Sequence, residues 1–70
     1  MFYYRTEAVG KFTEWTELKT DSEVGAKRRL SREYADSCCH IWLGVKSKAT
    51  GVIKPIAKKH SLQSAWLNLQ

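Results

Sequence analysis

Seventy residues, 43% of them hydrophobic and 27% charged, predict one compact domain over 1–70 and exclude a disordered chain. A chain this short buries only about 60% of its unfolded surface, which leaves little room for a closed active site. The net charge is +5, no apolar run is long enough to cross a bilayer, and Met1-Phe2-Tyr3-Tyr4-Arg5 lacks the basic start and long apolar stretch of a secretory leader.

The first predicted element is a strand. Phe2, Tyr4, Thr6 and Ala8 alternate with Tyr3, Arg5, Glu7 and Val9, and aromatic and β-branched residues at period two suit a pleated ribbon. Gly10-Lys11 can turn the chain into a second strand over Phe12 to Leu18. There Phe12, Trp15 and Leu18 are spaced by three, a helical spacing, but the threonines and the nearby glycine favour a hairpin.

Thr20-Asp21-Ser22-Glu23 reads as a helix start, with Thr20 capping and Glu23 reaching back in a capping box. The helix should run to Tyr34 or Ala35. Ala26, Leu30 and Tyr34 recur at i, i+4 and i+8 as its buried stripe. Arg28, Arg29 and Arg32 fall opposite that stripe, with Lys27 on the flank and Gly25 on the same outer face.

Cys39, Ile41, Leu43 and Val45 alternate with Cys38, His40, Trp42, Gly44 and Lys46, which is the clearest strand signal in the chain. The first set should face the helix. After a turn over Ser47 to Gly51, a strand runs from Val52 to about Lys58, and Pro55 marks it as an edge or bulged strand. At the C-terminus, Ala65, Leu67 and Leu69 alternating with Trp66, Asn68 and Gln70 fit a strand, whereas Leu62, Trp66 and Leu69 fit a helix capped by Ser61. The loop-like run Lys59-His60-Ser61-Leu62-Gln63 favours the strand. The expected class is α+β: a small antiparallel sheet (β-β-α-β-β-β) with one amphipathic helix packed on one face.

Charge is placed unevenly along this order. All seven carboxylates lie within 1–36, whereas beyond it the formal charges are Lys46, Lys48, Lys54, Lys58 and Lys59 alone. Such asymmetry favours something polyanionic: nucleic acid, a protein with an acidic surface, or an anionic membrane. The partner expected is a host protein or nucleoprotein complex, with nucleic acid possible and no membrane. The candidate binding residues are Lys27, Arg28, Arg29 and Arg32 on the helix, whose guanidinium groups can fork onto carboxylates or phosphates. To these the later lysines add a basic rim around the last strands, and Trp42 is an aromatic anchor able to stack. Each has a plainer reading: a solvated helix face, edge lysines that discourage stray pairing, and a tryptophan that fills the sheet.

No catalytic constellation is expected. Adjacent Cys38 and Cys39 point to opposite faces of a strand and diverge from His40 and His60, so they fit neither a zinc site nor a disulfide. They read as free thiols of a reducing cytosol. Glu14 and Glu17 read as a polar strand edge. No metal or cofactor is expected, and the chain is read as not an enzyme. The edge near Pro55 and the thin core leave a homodimer open.

The run Ser22-Glu23-Val24-Gly25-Ala26-Lys27-Arg28 on a basic helix followed by a strand resembles small phage and prophage α+β proteins. Among these, anti-CRISPR inhibitors of type I surveillance complexes are similar in size, element order and basic helix. The carry-over is confined to Ala26-Lys27-Arg28 and the general charge pattern; the Cys38-Cys39-His40 strand and the long C-terminal tail depart from it. The resemblance implies a stoichiometric inhibitor in the host cytoplasm, docking on a nucleoprotein complex at or beside its nucleic-acid path. Direct nucleic-acid binding by an accessory or regulatory protein is the alternative.

Overall fold

The alternating run at the start of the chain becomes the strand around which the sheet is built. The computed structural model describes residues 1–69. In chain order it has β1 (Phe2–Ala8), β2 (Lys11–Phe12), β3 (Thr16–Leu18), α1 (Glu23–Glu33), β4 (His40–Lys46), β5 (Ile53–His60) and β6 (Leu67–Asn68). All pairings are antiparallel, in the order β2-β1-β4-β5-β6, with β3 also on β1. The α+β class is borne out: one helix covers one face of one antiparallel sheet.

The first hairpin departs from expectation in two places. Its turn is Val9-Gly10, not Gly10-Lys11; both residues have positive φ, 54° and 75°. This is the mirror-image turn whose twist matches that of a hairpin. The expected strand Phe12–Leu18 is split into β2 and β3. Glu7 pairs with Phe12, but Tyr4 pairs with Thr16, so the edge strand carries one extra residue between them. Thr13 secures the break: its amide donates to Thr6 O at 2.9 Å, and its hydroxyl accepts from Thr6 N at 2.9 Å. The Phe12–Trp15 spacing by three is the trace of this extra residue, whereas Leu18, opposite Phe2, turns to the other side and enters the core.

The helix is capped by Ser22, not Thr20: Ser22 Oγ accepts the Gly25 amide at 3.0 Å. Gly25 is part of this cap. A Cβ there would lie 2.9 Å from Ser22 Oγ and 3.0 Å from Thr20 Oγ1, so glycine leaves room for both hydroxyls. The helix ends at Glu33 with Tyr34 as its C-cap. Ala26 and Leu30 are fully buried against Leu18, Cys39, Ile41, Leu43, Ile56 and Ala57, with Phe2, Tyr4, Tyr34, Val45 and Trp66 around them. Each large aliphatic side chain so buried contributes roughly 1.5–3 kcal/mol. Cys39, Ile41, Leu43 and Val45 thus face the helix, as their alternation predicts. Burial, with the neighbouring Tyr4 hydroxyl second, pushes the Tyr34 phenol up to about 12.

β5 carries the bulge that Pro55 announced. Leu43 pairs with Ala57 but Gly44 pairs with Pro55, leaving Ile56 as the extra residue, and Ile56 and Ala57 both enter the core. The strand runs on through Lys59 and His60, which had read as loop, because Ser61 N–H donates to Cys39 O at 2.8 Å and holds the chain on β4. The C-terminal strand is present over Leu67–Asn68, paired with Ala57 and Lys58, and Trp66 Nε1 donates to Ser31 Oγ of the helix at 3.1 Å. Gln70 lies outside the described residues. Among those described, no helix is long and apolar enough to cross a membrane.

Candidate functional site

Strand alternation puts every second residue on the sheet face that α1 leaves uncovered. On β1 these are Tyr3, Arg5 and Glu7; on β3, Glu17, opposite Tyr3; on β4, His40, Trp42, Gly44 and Lys46; on β5, Ile53, Pro55, Lys58 and His60. Arg5 lies opposite Trp42, and Trp42 opposite Lys58. Phe12 joins them as the partner of Glu7, and Leu67 as the partner of Lys58.

The face alternates rings and cations. The Arg5 guanidinium carbon lies 4.5 Å from the Phe12 ring centre and 5.1 Å from that of Trp15, and Arg5 Nε donates to Thr13 O at 3.1 Å. Lys58 Nζ lies 4.8 Å from the Trp42 ring, and Lys46 Nζ 5.7 Å from the Tyr3 ring. Such contacts hold the cations in place while leaving their charge unneutralised. Phe12 and Trp42 meet at 6.1 Å with tilted planes. Trp42 is oriented by its Nε1, which donates to Glu7 Oε1 at 3.2 Å. Trp15 lies over Gly44: a Cβ on Gly44 would come within 3.0 Å of the indole and 2.7 Å of Ile53 Cγ2. Glycine is the residue that lets the ring come down onto the sheet.

The predicted binding residues do not gather into one patch. Arg28, Arg29 and Arg32 are exposed on the outer side of α1, across the sheet from the ring-and-cation face. Lys27 is engaged, with Nζ 2.8 Å from Glu23 Oε2 and donating to Asn68 Oδ1 at 3.2 Å. Trp42, Lys46 and Lys58 belong to the open face, with Lys48 in the exposed turn beyond it. Lys54 pairs with Val45 and so takes the helix side of the sheet, where it is exposed. Lys59 was expected on the basic rim but is buried, 5% exposed, with Nζ donating to Ser61 O at 3.3 Å. Its place opposite Ile41 turns it inward.

Arg5, Phe12 and Trp15 were not among the predicted site residues. Alternation alone puts Tyr3 and Arg5 on one face of their strand and Trp42 and Lys46 on one face of theirs. Their meeting depends on the β1–β4 pairing, a contact across the helix that no local pattern announces.

Cys38 is exposed and Cys39 buried, both free. Burial pushes the Cys39 thiol up, so it stays protonated and acts as a small apolar filler. His40 and His60 meet edge to face at 4.9 Å, and His60 Nδ1 accepts from Leu62 N–H at 3.1 Å. Among the described residues no three His, Cys, Asp or Glu side chains converge. Comparison with protein-family models, curated proteins and solved structures finds no match.

Proposed function

We propose that this chain is a non-enzymatic binding module that holds single-stranded nucleic acid on its open sheet face. The observation that carries this reading is the alternation there of Tyr3, Phe12, Trp15 and Trp42 with Arg5, Lys46 and Lys58. Rings offer stacking surface to unpaired bases, and cations set between them meet the phosphates that link those bases. A duplex hides its base faces and could use only the charges. The free thiols of Cys38 and Cys39 suit a reducing compartment such as the cytoplasm. An accessory protein of this kind, or an inhibitor occupying the nucleic-acid path of a nucleoprotein complex such as a CRISPR effector, would use the same face.

A second reading is supported by a different observation. Arg28, Arg29 and Arg32 are exposed, and the Lys27–Glu23 pair is the only ion pair among the described residues. Three unpaired guanidinium groups on one helix face suit docking on a host protein with an acidic surface.

Tryptophan quenching by oligothymidylate at two salt concentrations separates the readings. The expected outcome is micromolar binding that weakens with salt, with a log–log slope near −2 for three phosphate contacts at about −0.7 each. Trp42→Ala should weaken binding by about 1–3 kcal/mol, the worth of one stacked base. Joint reversal of Arg28→Glu and Arg32→Glu should weaken it far less. Absence of binding at low salt would overturn the strand reading and leave the helix face as the docking surface. A loss larger for the arginine reversals than for Trp42→Ala would do the same.

A further inference from the structure

The open face ends in a pocket. Its volume is about 380 Å³, and its lining residues are Met1, Tyr3, Lys46, Ser47, Lys48 and Gly51. Tyr3 and Lys46 belong to the ring-and-cation face; the others bring in the turn that follows β4 and the start of the chain. No carboxylate lines it. A second cavity, of about 490 Å³, differs on this point: Glu17 and Asp21 line it with Lys19, so its charges are mixed.

Resting on the strand-binding reading above, we infer that this pocket receives the terminal nucleotide of the bound strand, with its end phosphate on Lys46 and Lys48. A phosphodiester within a strand carries one negative charge, whereas an end phosphate carries between about 1.5 and 2 near neutral pH. Two lysines with no carboxylate between them match the end group better than the internal one. The Ser47 hydroxyl, which accepts the Thr50 amide at 3.4 Å, keeps its own proton free to donate to a phosphate oxygen. The Tyr3 ring beside Lys46 gives the last base or sugar an apolar wall. Along β4 the distance from Trp42 to Lys46 is about 13 Å at the usual strand rise, so a strand stacked on Trp42 reaches the pocket within a few nucleotides. The turn stays open to an incoming end because Gly51 has no side chain and takes a φ of 73°.

The test compares oligothymidylates of about eight nucleotides carrying a 5′-phosphate, a 3′-phosphate or neither, with thymidine monophosphate as a further probe. Binding is read by tryptophan quenching on the wild-type chain, on Trp42→Ala and on the double variant Lys48→Gln with Lys46→Gln. One of the two phosphorylated ends should bind about tenfold more tightly than the unmodified strand. That ratio should fall to about one in the lysine double variant, and because it is taken within one protein, a general loss of affinity does not affect it. Equal affinity for all three strands, with binding still dependent on Trp42, would overturn the end site and leave the strand reading intact. Binding of the mononucleotide alone, with no strand bound, would overturn both and mark the pocket as a site for free nucleotides. Circular dichroism on the exposed-lysine variants confirms that the fold is retained.

Discussion

Val9 holds a left-handed backbone at φ 54° and is 99% exposed, so its β-branched side chain is strained without any packing in return. The position belongs to a two-residue hairpin turn in which asparagine before glycine is the favoured pair. Val9→Asn should therefore stabilise the chain by about 1 kcal/mol, with no core contact changed. For a domain of this size that is a rise in melting temperature of about 4–8 °C. Thermal melts followed by circular dichroism check it, and an unchanged or lower midpoint would show that the turn does not limit stability. Gly10 marked the turn in the sequence; its first residue was misplaced by one because valine gives no turn signal. The inward direction of Lys59 was hidden for a similar reason. Two consecutive lysines read as solvated, and only their places opposite Trp42 and Ile41 separate Lys58, above the sheet, from Lys59, beneath it.

At the scale of the helix, Ser22 and Gly25 act as a pair. The usual gain from replacing a helical glycine by alanine is about 1 kcal/mol. Here the added methyl would press on the capping hydroxyl at 2.9 Å, and losing a cap costs about the same amount. Ser22→Ala should thus destabilise by about 1 kcal/mol. Gly25→Ala alone should give no net stabilisation, and part of the expected helix gain should reappear when it is combined with Ser22→Ala, Thr20 Oγ1 still lying 3.0 Å from the added methyl. Denaturant melts of the two single variants and the double variant form the cycle. A full gain from Gly25→Ala in the wild-type background would mean the cap relaxes at no cost. The helix, its length and its buried stripe were legible from Ala26, Leu30 and Tyr34. The capping residue was not, because Thr20, Asp21 and Ser22 are all competent caps and only the route of the chain from β3 selects among them.

For the molecule as a whole, the junction of the two layers depends partly on Tyr34. Its ring meets that of Tyr4 on β1 at 6.1 Å, joining the end of the helix to the sheet. The folded state holds the neutral phenol, with the pKa raised from 10.0 to about 12. The resulting stability is complete below about pH 10 and is lost as pH rises toward about 12, because the unfolded chain releases the proton first. Over that window the wild type should lose stability more steeply than Tyr34→Phe, as read by urea melts at intervals of pH. Equal slopes would mean that the phenol is solvated in the folded state. Most of the architecture was legible because alternation and the helical stripe are local. Of the candidate site, Trp42, Lys46 and Lys58 were legible as an aromatic among the late lysines, whereas Arg5, Phe12 and Trp15 were not, since they come from strands far away in the chain and the common face exists only after β1 has paired with β4.

The broken edge described for β2 and β3 bears on how copies of this chain can meet. One border of the sheet is interrupted at Thr13–Trp15, and the other ends in a strand of only two residues. Neither presents the long straight row of free amides and carbonyls that lets sheets zip together end on end into fibres. Two copies that stacked open face upon open face would cover the rings and cations proposed to bind nucleic acid, so in that arrangement a self-paired chain and a loaded chain would be mutually exclusive forms.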